Sequence, residues 1–371
     1  GDISMSKQGK SSKTTPTLAG KSPKYTSPLL QSSFGDAAFL PPQLDLSAPT
    51  STEAKKDPSD RLASLEGELD RYQVFINEAN AYSHVVAMTI ALKGLQEVVY
   101  VNMIRHLNGG HLEDKGCPDC SMQVTKLRIK DFAITMRNLF ETDMFPVPLL
   151  YDTKQHLILS TDSAVICSFL NSKFNHLAQF PDRNLAPDER VIQKKMKKVE
   201  TKVLGAINQC IGRAGRASTK EEFESAAKEI HATFRKMEAL LGQSRFLCGE
   251  HITEADVIEF VALFRYDPLL SWVLPNEQGD RVSLFLTYPN IWGWLCDCYQ
   301  QDGVADTCDL IEILNSKGYL SSFGARIMEL DIEFPDGWDE DYLNNLMAEH
   351  GRDTYDFGAA KGGPAAKKRK T

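Results

Sequence analysis

No apolar run in this chain approaches the roughly 20 residues that a helix needs to cross a bilayer. There is also no leading basic-then-apolar stretch with a small-residue cleavage site. A soluble, unsecreted protein is therefore expected. A cysteine framework is missing too: the eight cysteines stand at 117, 120, 167, 210, 248, 296, 298 and 308, several of them in apolar helical surroundings. Reduced thiols in a reducing compartment are expected. Finally, there is no basic surplus. The formal net charge of -8 argues against general nucleic-acid binding, because neutralising phosphates takes a concentrated basic surface.

What is present suits a globular protein. A length of 371 residues implies about two domains plus tails, and 42% hydrophobic with 25% charged residues is ordinary for a soluble core. Residues 1–60, rich in Ser, Thr, Pro and Lys and without periodicity, are expected to be a disordered arm. Met5–Phe34 is acid-poor like a transit peptide, yet it contains no arginine, which favours an ordinary tail. Residues 326–371 read as an acidic, then basic, tail. Glu329–Asp341 interleaves acids with Phe334 and Trp338, a composition suited to docking on the body or on a partner. Lys367-Lys368-Arg369-Lys370 fits a nuclear import signal or a plain solvated end. Cytoplasm and nucleus are the expected compartments, with a plastid or other organelle left open.

Between the tails two textures succeed each other. RYQVFIN (71–77) alternates polar and apolar residues and reads as a half-buried strand. YSHVVAMTIALKGL is a largely apolar helix with Gly94 as its stop, and VVYVNMI suits a buried parallel strand. KLRIKDFAITMRNLF (126–140) reads as a helix, FPVPLLYD and HLILS as a strand pair, and Asp162–Phe174 as a third helix. That is the thioredoxin order, whose parallel crossover is right-handed. From Asp188 onward the pattern is helical. The expected organisation is an α/β thioredoxin-like domain at 68–180 and an all-α domain at 188–325.

Specific residues carry a resemblance to a known family. Pro148 in Val147-Pro148-Leu149-Leu150 stands where thioredoxin-fold domains have a cis-proline. Thr161-Asp162-Ser163 stands where glutathione transferases carry an acidic-Ser pair. Thr253-Glu254-Ala255-Asp256 looks like the transferase capping box. RFLCGEHITEADVIEFVALFRYDPLL and YPNIWGWLCDCYQQDGVADTCD are similar to signature stretches of the glutathionyl-hydroquinone reductases, a Xi or omega-like class of glutathione transferase. The resemblance spans about Asp70–Ser322 and implies the glutathione transferase fold, glutathione as ligand and, by analogy, a homodimer.

Four departures accompany it. The family opens its first helix with Cys-Pro-Trp-Ala-His-Arg. Counting back from Lys93-Gly94-Leu95 sets Asn80 at the cysteine, Ala81 at the proline and Tyr82 at the tryptophan. Leu270 stands where the reductases carry a tyrosine on the hydroquinone side. The class depends on a thiolate whose pKa a helix N-terminus lowers, and an amide is no such nucleophile. Asn80 reads as a helix N-cap, or as a donor which, with the hydroxyl of Tyr82 or Ser83, hydrogen-bonds a glutathione sulfur. Val147 and Pro148 are placed at the cysteinyl backbone of glutathione, and Asp162 and Ser163 at its γ-glutamyl end.

The expected function is a non-catalytic scaffold or ligand-binding protein that binds glutathione or an apolar small molecule and contacts protein partners through its tails. The alternative is a noncysteine transferase conjugating glutathione to an apolar electrophile. His106, His111, Cys117 and Cys120 are zinc ligands in kind, but their spacing matches no known module; an ordinary loop without metal is expected, ahead of a reducible exposed Cys117-Cys120 pair and of a zinc site. His84 is expected to be packed and satisfied, Trp292 and Trp294 to be core, and KKMKKVETK (194–202) to be a solvated face.

Overall fold

A computed structural model describes residues 62–77, 80–103, 105–106, 112–113, 147–155, 157–271, 274, 281–315 and 338–357. The arm at 1–60, the helix read over 126–140, His111, Cys117, Cys120, most of the acidic stretch before Trp338 and the Lys367–Lys370 run lie outside the described residues.

The first half is built on a four-stranded sheet. Its strands are β1 (Tyr72–Ile76), β2 (Tyr100–Met103), β5 (Leu149–Asp152) and β6 (Leu157–Ser160), in the order β2-β1-β5-β6. β1 and β2 are parallel, whereas β1–β5 and β5–β6 are antiparallel. The parallel pair needs a crossover, which α1 (Ala81–Lys93) supplies. Gly94 ends α1 at φ 66, a left-handed position that glycine accepts without steric cost. β3 (Arg105–His106) and β4 (Leu112–Glu113) pair antiparallel, so part of the segment read as a polar loop closes as a hairpin.

One expectation fails here. β1 is not half-buried: all five of its residues are buried, and so are Arg71 and Asn77 at its ends. Its alternation records chemistry rather than exposure, because β1 is central in the sheet. Arg71 keeps its charge inside by a bidentate pair with Asp152 on β5, at 3.1 and 2.6 Å. α2 (Ser163–Lys173) packs beside α1. Tyr72, Phe169 and Phe174 meet edge to face at centroid separations of 5.3 to 5.6 Å.

The second half is helical. α3 (Arg190–Val199) runs through a π-helical turn (Glu200–Leu204) into α4 (Gly205–Arg216). α5 (Lys220–Leu241), α6 (Glu254–Phe264) with a π turn at Tyr266–Leu270, α7 (Leu284–Thr287), α8 (Pro289–Tyr299) and α9 (Leu310–Asn315) follow. α6 is the core helix, with every residue from Ala255 to Phe264 buried. The described part of the terminal segment docks on this half. α10 (Trp338–Leu346) packs on α8, and the Tyr342 hydroxyl donates to Phe264 O at 3.0 Å. Arg352 Nη2 donates to Leu241 O, Ser244 O and Arg245 O at 3.0, 2.6 and 2.6 Å. The guanidinium thus caps the C-terminal end of α5, where the helix dipole is negative. It fits because residue 293 is glycine: a Cβ there would meet Arg352 Cδ at 3.2 Å.

Candidate functional site

The sheet register gathers the sequence-read residues at one edge. The last β1–β5 pair is Phe75↔Leu149, and two residues further along each strand stand Asn77 and Val147. The end of β1, which leads into α1, therefore lies beside the start of β5. β6 runs antiparallel to β5, with Ser160 opposite Leu150, so Asp162 and Ser163 emerge at the same edge. The topology alone brings the α1 N-terminus, the Val147–Pro148 bend and the α2 N-terminus together.

At the first of these, Asn80 is the N-cap of α1, its Oδ1 accepting from Ser83 N at 2.9 Å. Because a backbone N–H must find an acceptor, the amide oxygen faces the helix. Nδ2 then makes no hydrogen bond with another described residue. The capping and donor readings are compatible, since one end of the amide serves each. Ala81 and Tyr82 are half-buried in the first turn. Ser83 differs from what the sequence suggested: it is fully buried, and its hydroxyl has no hydrogen-bond partner among the described residues.

At the bend, the Val147–Pro148 bond is cis. Val147 N–H and C=O form no backbone pair with another described residue. At the third point, Asp162 caps α2 through a single oxygen: Oδ1 accepts from Ala164 N at 2.8 Å and Val165 N at 3.3 Å. Asp162 Oδ2 has no partner among the described residues. Burial pushes the Asp162 carboxyl pKa up, and the two backbone N–H groups oppose that shift. The Ser163 hydroxyl is likewise unbonded, at the first position of α2.

Behind α1, His84 is buried as expected. Arg265 Nη1 donates to His84 Nδ1 at 2.8 Å. A guanidinium has no acceptor, so the ring proton is on Nε2, which donates to Thr307 Oγ1 at 3.2 Å. Thr307 in turn donates to Val304 O at 2.7 Å. Desolvation, and then the Arg265 charge, hold the His84 pKa well below its usual value, so the ring is neutral and acts as a link from the sheet half to the helical half. The sequence carried no sign of its partners, which stand 181 and 223 residues away.

Among the described residues, Cys167, Cys210, Cys248, Cys296, Cys298 and Cys308 are all buried, and none is in a disulfide. Burial pushes Cys167, Cys248 and Cys308 up to about 12, and raises Cys210 and Cys298 as well. Such thiols are inert at neutral pH. The described residues contain no group of three or more His, Cys, Asp or Glu able to hold a metal. The backbone of His106 lies in β3, while His111, Cys117 and Cys120 fall outside the described residues. Leu270 and both tryptophans of α8, Trp292 and Trp294, are buried.

Known proteins share this architecture. Residues 220–295 match the glutathione S-transferase C-terminal domain family. The chain is 27% identical over 253 residues to glutathionyl-hydroquinone reductase YqjG of Escherichia coli strain K12, covering 67% of this chain and 74% of that one. It is 26% identical over 248 residues to glutathione S-transferase omega-like 2 of Schizosaccharomyces pombe, covering 63% of this chain and 76% of that one. The glutathione-bound structure of the Escherichia coli protein superposes with a TM-score of 0.60 at 26% identity, over 77% of this chain and 90% of that one. A Xi glutathione transferase from Saccharomyces cerevisiae in complex with glutathione does so at 0.58 and 20% identity, over 74% and 94%. The chain thus has the glutathione transferase fold, a thioredoxin-like α/β half followed by an all-α half, and is related to the glutathionyl-hydroquinone reductases and Xi-class transferases.

Proposed function

We propose that this protein binds glutathione without performing thiol transfer, as a ligand-binding or scaffolding relative of the glutathionyl-hydroquinone reductases. The observation that carries the reading is the start of α1. Residue 80, aligned with the family's cysteine by counting back from Lys93-Gly94-Leu95, is a half-buried asparagine engaged as the N-cap. An amide neither attacks a glutathionylated substrate nor forms a mixed disulfide, and the described thiols are all buried, with desolvation raising the pKa of Cys167, Cys210, Cys248, Cys298 and Cys308. The binding frame is supported separately. The Val147 backbone, Asp162 Oδ2 and the Ser163 hydroxyl, which have no hydrogen-bond partner among the described residues, suit a peptide-like ligand with an ammonium at one end.

One observation favours a second reading, a noncysteine transferase: Asn80 Nδ2 has no partner among the described residues, which leaves its N–H groups able to stabilise a glutathione thiolate. Calorimetric titration with glutathione, followed by assays of thiol transfer and conjugation, separates the two. Saturable binding with neither activity is expected, together with a gain of thiol transfer in Asn80→Cys. Failure to bind millimolar glutathione would remove the reading, whereas conjugation abolished by Asn80→Ala would establish the second.

A further inference from the structure

α3 has two sharply different sides. Met196 and Val199 are buried, and Val203 continues that side into the π turn. Arg190, Lys194, Lys195, Lys197, Lys198 and Lys202 are all exposed. From Arg190 to Val199 the helix contains no acid. Arg190, Lys194 and Lys198 follow one another at i, i+4, and the row runs on to Lys202. Like charges at that spacing destabilise a helix. No relief comes from neighbours, for none of the six cations forms an ion pair with another described residue. A surface serving solubility alone mixes its signs, and a chain of net charge -8 does not produce a single-sign basic row by composition.

We propose that this face of α3 docks a short, extended acidic segment of a protein partner. The repeat matches: cations one helical row apart are separated by about 6 Å along the axis, and alternate residues of an extended strand, which share a face, repeat at roughly 6.6 Å. The other polyanions fit less well. A membrane-surface helix inserts an apolar face, but that face of α3 is buried in the protein. A long nucleic acid would extend past the row along a chain of net charge -8, and phosphate recognition favours the forked guanidinium over lysine.

The test titrates the full chain with a fluorescent peptide of six Glu-Ser repeats at 50 and 150 mM salt, using an oligonucleotide of equal charge and anionic vesicles in parallel. Saturable one-to-one binding that weakens with salt is expected, with at least a tenfold loss in the double variant Lys194→Glu/Lys198→Glu. Those positions are exposed and the variant's thermal transition is expected to be no lower, so the loss reports the face and not the fold. A peptide of six Lys-Ser repeats is expected to bind the variant more tightly than the parent. The proposal is overturned by absence of saturable binding at 50 mM salt, by equal binding to the variant, or by tighter binding of the oligonucleotide or the vesicles than of the acidic peptide.

Discussion

Glu259 sits inside α6 with neither carboxylate oxygen bonded to a described residue, and it is fully buried. Desolvation alone raises its pKa from 4.5 to about 8. The folded protein therefore holds a proton that the unfolded chain releases above the ordinary glutamate range. The stability linked to this group is complete below about pH 4.5 and declines as pH rises through about 8. Glu259→Gln, which has no proton to lose, is expected to be more stable than the parent at pH 8 by up to about 4 kcal/mol, and the gap should close near pH 4.5. Chemical denaturation across that range checks it, and a pH-independent difference would refute the shifted titration. Nothing in the sequence marked Glu259, since an acid inside an apolar helix reads as amphipathic until its surroundings are known. Asn80, in contrast, was legible as a cap because capping is decided within one helical turn. The burial of Ser83 three residues later was not.

Elements divide in the same way. α1, α2 and α6 begin and end where their own residues dictate: Asn80 and Gly94 bracket α1, Asp162 opens α2, and Thr253 with Asp256 opens α6. β1 misled, because alternation reports exposure only for a sheet with one wet face, and the β2 and β5 neighbours together with the covering helices remove that face. Asp256 shows how a local signal acquires distant work. Besides accepting from Thr253 N at 2.9 Å, its carboxylate accepts from Leu247 N at 2.8 Å and from Trp294 Nε1 on α8 at 3.0 Å. The Thr253 hydroxyl adds a bond of 2.8 Å. Asp256→Ala is expected to cost at least about 3 kcal/mol, because several buried donors lose their acceptor together. Loss of near-ultraviolet signal from Trp294 and a lower denaturation midpoint would record it, and a change under 1 kcal/mol on this scale would show that the hub is replaceable.

For the whole molecule, the terminal segment illustrates what the chain could not announce. Residues read as tail return to the body through Tyr342, and through Arg352, whose partners begin 107 residues earlier. Arg352→Met keeps the volume and removes the donors. It is expected to lower stability by about 3 kcal/mol, since three carbonyls lose a charged partner, and to expose 338–357 to limited proteolysis. Protection equal to the parent's would contradict the clamp. Local pattern by itself determined β1, α1, β2, the β5–β6 pair and α2 in their order, the caps and the stop at Gly94, because each depends on neighbours within a turn or two, whereas it missed the β3–β4 pairing. Only the tertiary structure decided that β1 is buried on both faces, that His84 links the two halves through Arg265, and that Glu259 and Ser83 lie inside with no hydrogen-bond partner among the described residues. Those outcomes rest on which distant side chains meet, and solvent exclusion, which sets their energies, belongs to the packed molecule rather than to any segment of it.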